Sequence, residues 1–155
     1  MNNWKFEGKL KQQIEKDKDI CFTKDEMAKH LINRISFKNG DIVMEPCKGK
    51  GAFFNNLPKN TINFYCEINE NKDYLTQNEK VDITLSNPPF VPRKLFWDFM
   101  KKAMETTNRE IYWLINMSSL DVFTTKRLNE MTNNGWFLNT FHIVQDKRWF
   151  GRYVW

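Results

Sequence analysis

The stretch that decides the fold is "GDIVMEPCKGKG", residues 40–51. A glycine turn is followed by the apolar residues "IVM", and Pro46 then stops the run because proline cannot donate to a sheet ladder. This pattern predicts a short buried strand that ends in a loop carrying Gly49 and Gly51. A strand followed directly by a glycine loop is typical of α/β sheets that bind ligands beyond their strand ends.

Strand and helix patterns alternate along the rest of the chain. Three further strands rich in β-branched and aromatic residues are predicted, at 62–68, 81–85 and 110–117. Three amphipathic helices are predicted, at 24–35, 94–106 and 121–132. Residues 136–155 predict two strands joined near 145–147. The alternation predicts the α/β class, with a largely parallel sheet, helices on both faces and a hairpin at one edge.

A chain of 155 residues has the size of one domain. We expect a single domain over 1–155, with a basic helix or arm at 1–20 and a catalytic core at 21–155. The helix predicted at 24–35 should begin with a capping box, because Glu26 follows Thr23 by three residues.

Composition excludes several classes of protein. Hydrophobic residues make up 41% of the chain, with 13 Phe and 6 Trp, which indicates a globular protein. No apolar run approaches the ~20 residues of a membrane span, so a soluble, intracellular protein with no membrane partner is expected. Three cysteines without a C-x-x-C pair and two histidines predict no metal site. The net charge of +5 favours an anionic partner such as nucleic acid, although charge alone decides little.

Polar constellations follow three of the predicted strands. They are "EPCKGKG" (45–51), Glu67 and "SNPPF" (86–90). The loop lacks the Walker spacing, and Phe54 replaces the third glycine of the dinucleotide fingerprint. Glu67 lies 18 residues after Gly49, close to the ~20 typical of a carboxylate that binds ribose hydroxyls. The pattern favours a nucleoside site; a plain tight turn and a solvated strand end remain the alternatives.

With "EPCKGKGAF" (45–53) and "SNPPF", the chain resembles the S-adenosylmethionine-dependent amino methyltransferases, in particular the adenine-N6 DNA methyltransferases. The first stretch is similar to their cofactor loop and the second to their catalytic [DNS]-P-P-[YFW] motif. "FTKDEMAKHLI" (22–32) and "DYL" (73–75) are weaker matches to segments that hold the cofactor. The resemblance implies a Rossmann-like class I methyltransferase fold, a mostly parallel sheet flanked by helices with a C-terminal antiparallel hairpin. It also implies S-adenosylmethionine as cofactor.

The resemblance implies a role for each matching residue. The implied cofactor-binding residues are Phe22, Thr23, Glu45, Pro46, Cys47, Gly49, Gly51, Phe53, Glu67, Ile68, Asp73 and Tyr74. Glu45 would lie near the cofactor ammonium, Glu67 would accept the ribose hydroxyls and Asp73 would accept from adenine. Tyr74 or Ile68 would pack on that adenine. Phe22 and Thr23 would contact the methionine part, though Thr23 could equally serve only as a helix cap.

The implied catalytic residues are Asn87, Pro88, Pro89 and Phe90. An exocyclic amine is a poor nucleophile because its lone pair is delocalised into the ring. The resemblance implies that the Asn87 side-chain oxygen and the Pro88 carbonyl accept its hydrogens, and that Phe90 stacks on the target base. A carbonyl held between prolines needs little reorganisation during the reaction.

A base in a duplex must be flipped out before it can be methylated, and aromatic and basic side chains would hold it. The implied substrate-binding residues are Phe90, Arg148, Trp149, Phe150 and Arg152. The alternative is an aromatic edge strand, which we favour for Tyr153 and Trp155.

No target-recognition domain is recognisable after the catalytic motifs. Target recognition would therefore come from a partner subunit, a second copy or a small insertion, or would not exist. DNA is the first expected partner. Methylation of RNA or of a protein glutamine, and a noncatalytic nucleic-acid-binding subunit, remain the alternatives. The segment between Glu67 and Val81 is too short for a helix and a strand, so one edge strand of the usual seven-stranded sheet is expected to be missing.

Overall fold

The computed structural model describes residues 22–144 and 153–155. Three α-helices are present in this part, α1 (Asp25–Ile32), α2 (Arg93–Thr106) and α3 (Thr125–Asn133). Its strands are β1 (Ile42–Glu45), β2 (Ile62–Tyr65), β3 (Val81–Ser86), β4 (Thr107–Trp113), β5 (Ile115–Asn116), β6 (Ile143–Val144) and β7 (Tyr153–Val154). The arm expected at 1–20 lies outside the described residues. None of the described helices is long and apolar enough to cross a membrane.

The main sheet is parallel and has the strand order β2-β1-β3-β4. Leu114 interrupts the strand predicted at 110–117, yet its amide still donates to the Ser86 carbonyl at 2.9 Å. Beyond it, β5 pairs antiparallel with β7, and β7 pairs antiparallel with β6. The predicted fold class, a largely parallel sheet with a C-terminal antiparallel hairpin, is confirmed.

Helices cover both faces of the sheet because side chains alternate along each strand. In β1, Val43 packs with Leu31 of α1 on one face. Its neighbour Met44 packs with Phe96 of α2 and Met131 of α3 on the other face. The sheet is therefore buried on both sides, as parallel sheets normally are.

Some local predictions are wrong. The capping box fails, because α1 begins after Lys24 without a side-chain cap. The Thr23 hydroxyl instead accepts a hydrogen bond from the Asn87 Nδ2 at 3.2 Å. The helix predicted at 121–132 begins only at Thr125, because a 3-10 segment (Met117–Val122) precedes it.

The link between β2 and β3 matches its prediction. It contains two single-turn 3-10 segments, Ile68–Glu70 and Tyr74–Thr76, in place of a helix and a strand. In the described part of the chain, β2 is consequently an edge strand of the parallel sheet. This agrees with the expected loss of one edge strand.

An ion pair ties the start of β1 to β4. Both oxygens of the buried Asp41 carboxylate accept from the Arg109 guanidinium, at 2.8 and 2.5 Å. Asp41 also accepts from the Lys38 amide at 2.7 Å. The hydrogen bonds from Arg109, more than any other contact, lower the pKa of Asp41 to about 2. Bidentate pairs of this kind are the strong ones.

We predict that Arg109→Met lowers the free energy of unfolding by about 2 kcal/mol at pH 6. Folding depresses the pKa of Asp41, so the pair stabilises the protein above the unfolded pKa of about 4 and loses that effect as the pH falls towards 2. The difference between variant and wild type should therefore shrink between pH 4 and pH 2. Urea unfolding measured across this range tests it.

Arg93→Met is the matched control, because Arg93 pairs with Asp121 at an exposed site. Exposed pairs contribute little, so this variant should lose less than about 1 kcal/mol. Equal losses for the two variants would contradict a special role for the Asp41–Arg109 pair.

Candidate functional site

A cavity of about 980 Å³ lies at the carboxyl ends of β1, β2 and β3. Fifteen of the sixteen predicted cofactor-binding and catalytic residues line it, all except Gly51: Phe22, Thr23, Glu45, Pro46, Cys47, Gly49, Phe53, Glu67, Ile68, Asp73, Tyr74, Asn87, Pro88, Pro89 and Phe90. Four segments that are far apart in sequence thus meet around one space. The volume is within the range of small-molecule and cofactor sites.

The glycine loop after β1 needs its glycines. Gly49 and Gly51 have φ angles of +51° and +80°, in the left-handed region that side chains disfavour. A Cβ on Gly51 would also lie 2.9 Å from the Asn55 side-chain nitrogen. Gly51 is buried, and its amide donates to the Lys48 carbonyl at 2.7 Å. It therefore shapes the loop, whereas Gly49 faces the cavity.

Glu67 connects this loop to the end of β2. Its Oε2 accepts from the Gly49 amide at 2.7 Å, and its Oε1 accepts from the Asn69 amide at 3.2 Å. A carboxylate has about four acceptor positions, so two remain available after these bonds. The two amides hold the Glu67 carboxylate in a defined orientation beside the cavity.

Glu45, the last residue of β1, is in a different environment. The residue is 1% exposed, and its Oε2 has no hydrogen-bond partner among the described residues. Burial raises the pKa of Glu45 to about 8, against the opposing effects of the Phe54 amide and Lys48. A buried carboxyl group that lines a cavity and has one oxygen without a hydrogen-bond partner is a candidate ligand-binding group.

The Asn-Pro-Pro-Phe motif follows β3, an interior strand of the parallel sheet, at its carboxyl end. The Asn87 side-chain nitrogen donates to Thr23, which orients the amide. Pro88 is buried, and Phe90 is half-buried against the apolar side chains that pack on each of the two faces of the sheet. The motif is therefore supported from both faces of the sheet.

The residues expected to contact adenine differ in exposure. Asp73 Oδ1 accepts from the Leu75 amide at 2.9 Å. Tyr74 is buried with its ring 5.2 Å from that of Phe99, whereas Ile68 is 67% exposed. Ile68 therefore offers more surface to a ligand than Tyr74 does.

Several lining residues were missed by the sequence analysis: Lys72, Leu95, Phe99, Asn116, Ser118 and Ser119. Asn116 Oδ1 accepts from both the amide and the hydroxyl of Ser118, each at 3.0 Å. The missed signal was that Asn116, Ser118 and Ser119 are polar residues at and just after the end of the strand predicted at 110–117. Asn116 ends β5 and the two serines follow it, on the opposite side of the Asn-Pro-Pro-Phe motif from the glycine loop.

The lysines of the glycine loop are engaged within the protein. Lys48 and Lys72 each place their Nζ 3.9 Å from the centre of the Tyr65 ring, and both pair with Glu70 at 3.3 Å. Lys50 Nζ lies 4.5 Å from the centre of the Phe22 ring. Both lysines of the glycine loop, Lys48 and Lys50, therefore contact aromatic rings of the protein itself.

The predicted substrate-binding residues Arg148, Trp149, Phe150 and Arg152 lie outside the described residues. Tyr153 and Trp155, for which an edge strand was favoured, are buried, but the edge position is wrong, because β7 lies between β5 and β6 in the small sheet. Trp155 stacks on Phe53 and Tyr112, with ring centres 5.2 and 5.7 Å away. The end of the chain thus packs against the face of the sheet that α1 also covers.

No family model and no curated protein matches this chain. Among similar solved structures, a SAM-dependent O-methyltransferase from Thermotoga maritima has a TM-score of 0.60 and 13% identity, covering 92% of this chain and 68% of that one. A protein from Pyrococcus horikoshii described as an RNA methyltransferase has a TM-score of 0.50 and 14% identity, covering 97% and 94%. This chain has the fold of the class I S-adenosylmethionine-dependent methyltransferases.

Proposed function

We propose that this protein transfers a methyl group from S-adenosylmethionine to the exocyclic N6 amine of adenine in DNA. The observation that carries the proposal is that the Asn-Pro-Pro-Phe motif and the glycine loop line one cavity. A methyl donor bound along the loop would thus lie next to acceptor groups suited to an amine. The net charge of +5 is compatible with a nucleic-acid substrate.

The residues of the cavity fit the cofactor. Glu67 has free acceptor positions for ribose hydroxyls, and the left-handed turn at Gly49 lets the backbone approach a ligand closely. The unpartnered Glu45 oxygen suits an ammonium group. When bound, S-adenosylmethionine supplies an electrophilic methyl group on a sulfonium centre.

The protein's own contribution to the reaction is orientation. Asn87 and the Pro88 carbonyl would accept hydrogen bonds from the two N–H groups of the target amine, which turns the nitrogen lone pair towards the methyl donor. As the N–CH3 bond forms and the S–CH3 bond breaks, S-adenosylhomocysteine would leave and the nitrogen would lose one proton to solvent. The hydrogen bond from Asn87 to Thr23 fixes the side chain before substrate arrives. Phe90 would stack on the base, and holding both reactants in line would lower the barrier further.

RNA is the second candidate substrate. The chain covers 94% of the Pyrococcus horikoshii protein that is described as an RNA methyltransferase. The acceptor arrangement does not distinguish adenine in DNA from an amine in RNA, because both present the same planar nitrogen.

We predict that Asn87→Ala reduces methyl transfer by about 100-fold or more, since losing one preorganised polar group in an active site has effects of that size. Binding of S-adenosylhomocysteine should change little. The measurement is transfer of labelled methyl from S-adenosylmethionine to DNA, RNA and total protein, offered separately.

Asn108→Ala is the control for this prediction, because Asn108 is exposed on β4 and does not line the cavity. Label recovered as N6-methyladenine in DNA supports the proposal, and label in RNA alone selects the second candidate. Label confined to protein would refute a nucleic-acid substrate. Cofactor binding without transfer to any of the three would identify a noncatalytic subunit.

We predict that Glu67→Gln weakens binding of S-adenosylhomocysteine by about 10-fold or more, because hydrogen bonds to a charged group contribute about 1.5–3 kcal/mol. The loss combines weaker contacts to the ribose with a weaker Gly49 contact. Titration calorimetry measures it. Glu79→Gln, at an exposed site away from the cavity, should bind as the wild type does, and equal affinities for all three proteins would exclude a role for Glu67.

A further inference from the structure

Glu45 differs from the other carboxylates of the cavity in how it is held. It sits at the end of the central strand β1, with 1% of its surface exposed. One carboxyl oxygen has no partner among the described residues. Isolated buried carboxylates are so costly that such groups normally keep their proton.

The charged groups around Glu45 do not offset this cost. Lys48, in the loop after β1, favours the ionised form, but its ammonium is paired with Glu70 at 3.3 Å. Glu67, after β2, opposes ionisation by charge repulsion, and the Phe54 amide supports it. The neighbouring thiol of Cys47 has a pKa raised to about 12, mainly by burial, and so adds no charge at neutral pH. The net effect of burial and these groups raises the pKa of Glu45 to about 8.

We propose that Glu45 is neutral before the ligand binds and that binding of a ligand ammonium beside it expels its proton. The inference rests on the proposed function, because it takes the cofactor as the ligand. A cation placed next to a buried carboxyl group favours the ionised form, and the ammonium replaces the solvation that the anion lacks. Cofactor binding would then be coupled to the release of one proton to solvent.

The coupling has a defined size and sign. At pH 7 a carboxyl group with a pKa near 8 is about nine-tenths protonated, so about 0.9 protons should be released per ligand bound. If only the ionised form binds well, apparent affinity should rise about 50-fold between pH 6 and pH 8. The increase should level off as the pH passes about 8.

We predict this outcome for S-adenosylhomocysteine, which carries the ammonium but no methyl to transfer. Titration calorimetry at pH 7 in buffers of different ionisation enthalpy gives the number of protons released. Glu45→Gln should bind with no proton release from this site and with a much flatter pH profile. The amino group of the free ligand titrates alike in both experiments, so a difference in proton release between the two proteins arises in the complex, where residue 45 is the only change.

A second ligand that lacks the ammonium group tests whether this group causes the proton release. 5′-Methylthioadenosine has the nucleoside without the amino-acid part, and it should bind wild-type protein with no proton release.

Folding of the Glu45→Gln variant is checked by its melting temperature at pH 8. Folding raises the pKa of Glu45, so the contribution of this residue makes wild-type stability fall from about pH 4 up to about pH 8. The amide of the variant does not titrate, so its melting temperature at pH 8 should be no lower than that of the wild type.

The outcomes separate this inference from the proposed function. Binding of S-adenosylhomocysteine without proton release, with equal pH profiles for wild type and Glu45→Gln, would overturn the coupling and leave the function intact. No binding of either nucleoside at any pH would overturn both. Proton release that persists in Glu45→Gln would assign the proton to another group and refute the role of Glu45.

Discussion

The parallel pairing of β1 with β3 is the constraint on which the rest of the structure depends. With Met44 opposite Thr84, the two strands end together, so Glu45 and the glycine loop come next to Ser86 and the Asn-Pro-Pro-Phe motif. Neither loop builds a cavity by itself. Because both strands are buried on both faces, a one-residue shift of register would move each side chain to the opposite face of the sheet, where it would pack against the wrong helix, and this fixes the relative position of the two loops.

Around this pair of strand ends, the cavity uses two carboxyl groups in opposite ways. Glu67 is oriented by two backbone amides at the end of the edge strand, whereas Glu45 is buried at the end of the central strand with one oxygen unpartnered. Position in the sheet accounts for the contrast, because a central strand end is covered by neighbours on both sides. The same residue type can therefore serve as a fixed hydrogen-bond acceptor at one place and as a titrating group at another.

Much of the site could be predicted because it is carried by short motifs at strand ends. The glycines, the carboxylate after β2 and the Asn-Pro-Pro-Phe turn are local patterns of a few consecutive residues, and the left-handed backbone of the loop requires its glycines. Asn116 and Ser118 were missed because an isolated polar pair at the end of a strand has no distinctive spacing. The prediction of a capping box at Thr23 was wrong for a related reason. The pattern is local, but the Thr23 hydroxyl accepts its hydrogen bond from Asn87, 64 residues away.

The sequence by itself determined the alternation of strand and helix, the parallel sheet and the turns that close the cavity, because periodicity and glycine or proline chemistry act within a few residues. Only the tertiary structure decided which polar groups meet. The Asp41–Arg109 pair joins residues 68 positions apart, and the burial of Glu45 is the sum of contacts from several elements. Hydrogen bonding and desolvation depend on distance in space, which no local pattern specifies. The protonation state of the carboxyl groups in the cavity could therefore be inferred only from the folded structure.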